Sequence, residues 1–332
     1  MNNPLLTKVQ FEKPTFRISH QSNLFVIGSC FSDNIGKQLR NHKFNLLLNP
    51  YGVLYNPLSI ENALKRSILS NRFTEDDLLF HNNLWHSFDL HGSFSNMNKN
   101  KLLDTANTSI AEAYSILKTA EFLFVTFGTA WIYQYRDNGK VVANCHKLPA
   151  SAFIRERLPV ETIVKQWKAV INQLCVFNPT LKIIFTVSPV KHLKDGAHEN
   201  QLSKATLLLA INELVESDAD RLYYFPSYEI VNDELRDYRF YADDMTHIST
   251  SAQKYIYEIF KTTFFDSNTI QQISEIEKII KAASHKVLHN NREEIKMFSS
   301  SILKKIEKLE NTQPFINLHT EKKHFIQLMN EQ

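Results

Sequence analysis

Leu24-Phe25-Val26-Ile27-Gly28-Ser29-Cys30-Phe31-Ser32-Asp33 decides the fold. Four apolar residues in succession, two of them β-branched, read as a short strand buried on both faces. Glycine stops the strand, and a helix is expected at once, near residues 32–42. A buried strand running through a glycine turn into a helix opens a strand–helix–strand unit, so the chain is expected to build a parallel sheet. The same turn sets Cys30 at a helix N-terminus, where unpaired N–H groups and the helix dipole favour an anion. A thiol there is expected to have its pKa lowered and to gain nucleophilicity. The N–H groups beside it suit a developing oxyanion. A buried, inert thiol is the commoner fate of a free cysteine.

Outward from this stretch the pattern repeats. Residues 44–48 (FNLLL), 121–127 (EFLFVTF), 182–187 (KIIFTV) and 222–225 (LYYF) read as further strands. Helices are expected at 57–69, where Pro57 suits the first helical position, and at 99–119, 161–177, 200–217 and 250–265. Residues 131–135 and 140–144 flank Asp137-Asn138-Gly139, a hairpin signal. Residues 70–98 read as irregular and rich in His and Asn. Nearly all-apolar strands separated by helices give the fold class: α/β, a three-layer sandwich with a mostly parallel sheet. The main domain is expected at 1–268. Residues 269–332 change character: Ile273, Ile276, Ile279, Ile280, Val287 and Leu288 recur at helical spacing, Asn290-Asn291 interrupts, and Ile295, Phe298, Ile302, Ile306 and Leu309 resume. That reads as a helical hairpin acting as cap, lid or homodimer surface.

Composition narrows the function. Of 332 residues 43% are hydrophobic and 22% charged, close to the globular average, and the formal charge of +3 is too slight to announce a nucleic-acid groove. No apolar run approaches a membrane span, and the opening MNNPLLTKVQFEKP lacks a signal-peptide pattern, so a cytoplasmic protein is expected. The three cysteines, Cys30, Cys145 and Cys175, form neither a disulfide framework nor a zinc knuckle. Seven glycines leave no room for a dinucleotide or phosphate loop, which argues against a kinase, P-loop NTPase or Rossmann dehydrogenase. No cofactor is expected. His81, His86 and His91 recur every five residues, which suits no single helix face or strand face, so no metal site is expected.

The second chemical motif is Tyr241-Ala242-Asp243-Asp244-Met245-Thr246-His247, just before the last helix of the main domain. On such a turn Asp244 can hold one imidazole nitrogen of His247 while the other faces a nucleophile. The plainer alternative has Asp244 capping the helix and His247 at the surface.

Together these residues resemble the GSCFA-domain family, named for Gly-Ser-Cys-Phe-Ala, here Gly28-Ser29-Cys30-Phe31 with Ser32 in the last place. The likeness continues through Asn49-Pro50-Tyr51-Gly52-Val53-Leu54-Tyr55-Asn56-Pro57, Trp85-His86-Ser87 and Thr126-Phe127-Gly128-Thr129-Ala130-Trp131. It resumes at Asn144-Cys145-His146-Lys147, Thr186-Val187-Ser188-Pro189 and the Tyr241–His247 block. That family is similar to the SGNH (GDSL-type) hydrolases, which implies a flavodoxin-like α/β/α fold. By this resemblance Cys30 falls on the serine nucleophile, Gly52 on the glycine block, and Asp244 and His247 on D-x-x-H. The implied function is an ester hydrolase or acyltransferase working through a covalent acyl-enzyme on a small ester such as an O-acetylated carbohydrate. Backbone N–H groups of Cys30 and Gly52 would hold the oxyanion, and Ser29 is the alternative nucleophile. The oxyanion Asn after Gly128 has no counterpart. Asn49, Asn56 and the Thr129 hydroxyl are the substitutes considered. His86, His91, His146, Lys147, Lys191, His192 and Lys194 are candidates to line the pocket or meet an anionic group of the substrate, while Cys145 reads as structural. A non-catalytic ligand-binding module on the same scaffold is the alternative, and an interaction protein working through its helical tail is a third.

Overall fold

The chain is described by a computed structural model over residues 7–284 and 292–330. Its strands are β1 (Asn23–Gly28), β2 (Asn45–Leu48), β3 (Leu79–His81), β4 (Leu84–His86), β5 (Phe122–Phe127), β6 (Trp131–Tyr135), β7 (Val141–Val142), β8 (Phe153–Arg157), β9 (Lys182–Val187) and β10 (Leu222–Tyr224). The helices are α1 (Cys30–Asn41), α2 (Pro57–Ile68), α3 (Lys99–Thr119), α4 (Val160–Phe177), α5 (Ala197–Ser217), the single turn α6 (Ser227–Glu229), α7 (Thr250–Phe264), α8 (Ser267–Ser284), α9 (Arg292–Thr312) and α10 (His319–Asn330).

The main sheet has the order β2-β1-β5-β9-β10, with β1 parallel to β5, β5 to β9 and β9 to β10. Counted along the chain this is 2-1-3-4-5, the doubly wound order of flavodoxin-like folds. Alternate residues explain why the strands read as unbroken apolar runs. Ile27, Val125, Phe127 and Phe185 share a core with Leu64 of α2, Ile110 of α3, Trp167 of α4 and Leu207 of α5. Leu24, Val26, Phe122, Phe124 and Ile184 point to the opposite face and are buried as well. A sheet covered on both faces is the three-layer α/β/α arrangement expected from the sequence.

Two antiparallel pieces flank it. The Asp137-Asn138-Gly139 turn joins β6 to β7 as expected, but β8 adds a third strand in the order β7-β6-β8. Only Phe153 of β8 is buried, so its sequence carries little apolar signal. The stretch expected to be irregular holds the β3–β4 hairpin, turned by Asn82 and Asn83 with φ of 50° and 61°. Asn tolerates that left-handed region better than other residues with a Cβ.

By packing, the chain divides into two compact units. The first holds the described residues of Met1–Glu12, with Asn23–Gly36 and Leu46–Glu258. The second holds Lys13–Ser22, Lys37–Asn45 and the described residues from Ile259 onward. In the second unit the C-terminal stretch forms three helices, α8, α9 and α10, where a two-helix hairpin was expected. Ile276 and Ile279 of α8, Ile302, Ile306 and Leu309 of α9, and Phe325 of α10 bury one another, so much of the apolar stripe is used within the unit. Val287, Leu288, Asn290 and Asn291 lie outside the described residues. Among the described residues no helix is long and apolar enough to cross a membrane.

Candidate active site

Gly28 ends β1 with φ of 139°, and a Cβ there would sit 2.3 Å from the Thr126 carbonyl oxygen of β5. Only glycine fits so close to a neighbouring backbone. Ser29 follows, fully buried: its N–H donates to Thr126 and its hydroxyl oxygen accepts the Phe31 N–H at 3.3 Å. Ser29 thus caps the helix and is sealed from solvent. Cys30 is the first residue of α1, free and half-buried. Its own N–H stands where no carbonyl of the helix can reach it. The expected drop in thiol pKa is corrected by burial, which pushes the Cys30 thiol up. The nearby Lys204 charge and the N–H groups of Cys30 and Phe31 pull the other way without cancelling it.

Asp244 and His247 lie on a tight loop before α7, with Met245 at φ of 53°. Asp244 Oδ1 accepts the backbone N–H groups of Thr246 and His247, each at 2.9 Å, while Oδ2 accepts His247 Nδ1–H at 2.6 Å. The two backbone and imidazole contacts from His247, with the Thr246 N–H, hold the Asp244 carboxyl well below the usual carboxylate range. With Nδ1 fixed as the donor, Nε2 is the lone-pair nitrogen.

Cys30 and His247 line one cavity of about 620 Å³. Tyr55, Trp131 and Tyr133 give it an aromatic wall, and Arg155, Lys191 and Lys194 give it positive charge. Arg155 is bound to Asp195 and lies 4.4 Å from the Trp131 ring centroid, so that indole is held from one side. Lys194 donates to the Tyr133 hydroxyl at 2.9 Å.

The sequence profile of the GSCFA family matches residues 23–260, and that of the GSCFA C-terminal domain matches residues 276–331. The chain belongs to the GSCFA family. No curated protein matches its sequence. Among solved structures, an acetyl xylan esterase from the rumen bacterium Butyrivibrio proteoclasticus aligns over 64% of this chain and 56% of its own, with 12% identity and a TM-score of 0.31. This chain therefore spans little more than half of that structure's length.

Within the GSCFA motifs, several expected site residues have other duties. Gly52, at φ of 74°, packs against His91 and donates its N–H to the Asn49 carbonyl at 2.8 Å, so that N–H is spent on a turn. The Gly128 and Thr129 N–H groups both donate to the Tyr55 carbonyl, at 2.8 and 3.0 Å. Asn49 Oδ1 accepts the Gly28 N–H at 3.0 Å, and its Nδ2 is buried without a partner among the described residues. Asn56 lines the cavity but caps α2 with both ends of its amide on Ser59. Thr129 also lines the cavity, its hydroxyl engaged with Ser203 and the Trp131 N–H.

The histidines divide sharply. His86 is buried, with Nδ1 on the Ser95 hydroxyl and Nε2–H on the His81 carbonyl, so both nitrogens are satisfied. The His146 ring lies tilted against it at 4.4 Å, donates Nε2–H to the Ser87 carbonyl, and is pushed down to about 4 by burial. Neither is among the cavity's lining residues, so neither meets a substrate there. His91 and His192 do line it. Burial, with Lys204 and His247 nearby, pushes His192 down to about 4, so it is a neutral polar wall rather than an anion ligand. Cys145, expected to be structural, is at the cavity while His146 turns away. Sequence reasoning gave no site role to Tyr55, Trp131, Tyr133, Asn144 and Arg155, all of which line the cavity. Asn144 lines the cavity with Oδ1 occupied by the His146 N–H, which leaves its amide NH₂ without a protein acceptor among the described residues. Among those residues no group of three or more His, Cys, Asp or Glu side chains could hold a metal ion.

Proposed function

We propose that this GSCFA protein is an SGNH-type hydrolase or acyltransferase acting on an ester, with Cys30 as nucleophile, His247 as general base and acid, and Asp244 as the group that orients His247. The observation that carries this reading is that Cys30 and His247 line one cavity while Asp244 occupies Nδ1, so that Nε2 keeps its lone pair. The 2-1-3-4-5 sheet, with the thiol turn after its second-position strand and D-x-x-H before α7, supports the SGNH likeness.

In the first step His247 Nε2 takes the thiol proton as Cys30 Sγ bonds to the acyl carbon. The ester C–O bond breaks, and the imidazolium returns the proton to the leaving alcohol oxygen. In the second, water or an acceptor hydroxyl or amine gives its proton to Nε2 and attacks the thioester. The carboxylic acid or the new ester or amide departs and the thiol is restored. The N–H of Cys30 is one oxyanion donor, and since the Gly52 N–H is already used, the Asn144 amide is the second candidate. The aromatic wall of Tyr55, Trp131 and Tyr133 suits a sugar ring, which favours an O-acetylated carbohydrate as substrate. The chemistry is assigned to residues 1–268, and the helices α8, α9 and α10 take no part in it.

Release of p-nitrophenolate from p-nitrophenyl acetate, and of acetate from acetylated xylo-oligosaccharides, tests the reading. Turnover should fall roughly 10³-fold or more in Cys30→Ala and in His247→Ala. Equal rates in wild type and both variants would contradict it. A second reading, a binding module that keeps the pocket without turnover, is favoured by the spent N–H groups of Gly52 and Gly128 and by the raised thiol. It predicts saturable sugar-ester binding with no acetate released.

A further inference from the structure

Lys204 of α5 is only 1% exposed, and neither step above uses it. Its ammonium donates to the carbonyls of Gly128 and Ser188, each at 2.7 Å. These carbonyls follow β5 and β9 at their carboxyl ends, beside the thiol turn: a Cβ on Gly128 would lie 3.2 Å from Ser29 Cβ. Sealing an ammonium from water is costly, and two neutral carbonyls offset only part of that cost. A tie between two carbonyls needs no charge, because a neutral amide would serve as well.

The titratable groups facing Lys204 are Cys30 of α1, His192 after β9 and Tyr228 of α6, whose ring centroid lies 5.9 Å from Nζ. Among the described residues no carboxylate pairs with it. Asp33 and Tyr55 are the other titratable groups that interact with the thiol. Of the groups that face Lys204, His192 is kept neutral, and a buried tyrosine resists ionisation. The thiolate of Cys30 is the remaining anion that could compensate the charge.

We propose that Lys204 is a positioning residue of the site: its buried ammonium, tied to the ends of β5 and β9, supplies the positive charge that stabilises the Cys30 thiolate. The inference rests on the reading of Cys30 as nucleophile for its use in turnover, but the electrostatic coupling is measurable apart from turnover. Burial pulls Lys204 down to about 7, while the Cys30 thiolate pulls it back up.

The test is the pH dependence of iodoacetamide alkylation at Cys30, read by peptide mass spectrometry that separates it from Cys145 and Cys175. In Lys204→Met and Lys204→Gln the thiol inflection should rise by about one pH unit, with roughly tenfold slower alkylation at neutral pH. Lys204→Arg should stay near wild type. Gln keeps an amide for the two carbonyls and removes only the charge, so it carries the test where Met fails to fold, as circular dichroism will show. Should neither fold, the wild-type profile decides: two coupled inflections support the proposal and a single one overturns it. An unchanged inflection in folded Lys204→Gln also overturns it. Acylation by p-nitrophenyl acetate on the same samples separates the two ideas. A thiol that moves with Lys204 but never acylates keeps this inference and removes the enzymatic reading. Acylation at Cys30 with an inflection blind to Lys204 does the reverse.

Discussion

The thiol turn at Gly28-Ser29-Cys30 and the Asp244–His247 loop serve one cavity, yet they are built on opposite terms. Around Cys30 the neighbours are committed: Gly28 abuts the β5 backbone, and Ser29 is sealed with its N–H and hydroxyl bonded. The Asp244 and His247 side chains are 50% and 54% exposed, and one carboxylate organises the loop through three hydrogen bonds. The nucleophile is therefore placed by the fold, and the base by local contacts that water surrounds. Damage to the committed neighbours Gly28 and Ser29 should appear as lost stability, and damage to the loop as lost activity with the fold intact.

That contrast can be broken in several places. The largest effect is expected from removing the reacting groups: Cys30→Ala or His247→Ala should cost roughly 10³-fold or more in ester turnover, with melting temperatures close to wild type. A variant that loses both activity and several degrees of melting temperature would tie the loop to the core. Next, Gly28→Ala should destabilise by about 3 kcal/mol or more, since backbone rather than a flexible side chain opposes the new Cβ. Urea unfolding that shifts by under about 1 kcal/mol would show that the turn can relax. Asp244→Asn comes third: about 10²-fold slower turnover, because the imidazole loses its fixed tautomer, with urea midpoints nearly unchanged for so exposed a pair. A large stability loss there would contradict the local character of the loop.

The smallest effect is in pH, where the Asp244–His247 loop and the buried histidines both lose stability on acidification but over different windows. Asp244 is depressed, so its contact with His247 is fully present above the ordinary carboxylate value and is lost only as pH falls through its own lower value. His146 and His192 are pushed from 6.5 to about 4 by burial, so between those values the unfolded chain binds protons that the folded chain refuses. Stability should fall as pH drops through that window. Urea midpoints at pH 7, 5.5 and 4.5 measure it, and His146→Gln should flatten the slope. A midpoint constant across the range would mean that these histidines take up protons without cost.

Much of the fold was legible because its signals are local. Residues 99–119 and 182–187 form the helix and strand expected of them, and the strand–glycine–helix turn at Gly28 needs only its own sequence to be recognised. The β3–β4 hairpin was not, since its turn is Asn82-Asn83 without glycine and its strands are three residues each. In the site, D-x-x-H spacing is enough to bring Asp244 to His247. The fate of the Gly52 N–H depends on a positive φ that sends it to Asn49, which motif position does not encode. The His86–His146 ring contact joins residues far apart in sequence, and no periodicity announces it. Lys204 was the least visible, because a lysine within a helix reads by default as a solvated side chain.

The most direct test is intact-mass spectrometry after brief exposure to p-nitrophenyl acetate, comparing wild type with Cys30→Ala and His247→Ala. One acetyl adduct on wild type, absent from Cys30→Ala and slower to form in His247→Ala, is the expected result and would establish an activated thiol nucleophile. Acetylation no faster in wild type than in either variant would contradict it and leave the cavity as a binding site without turnover.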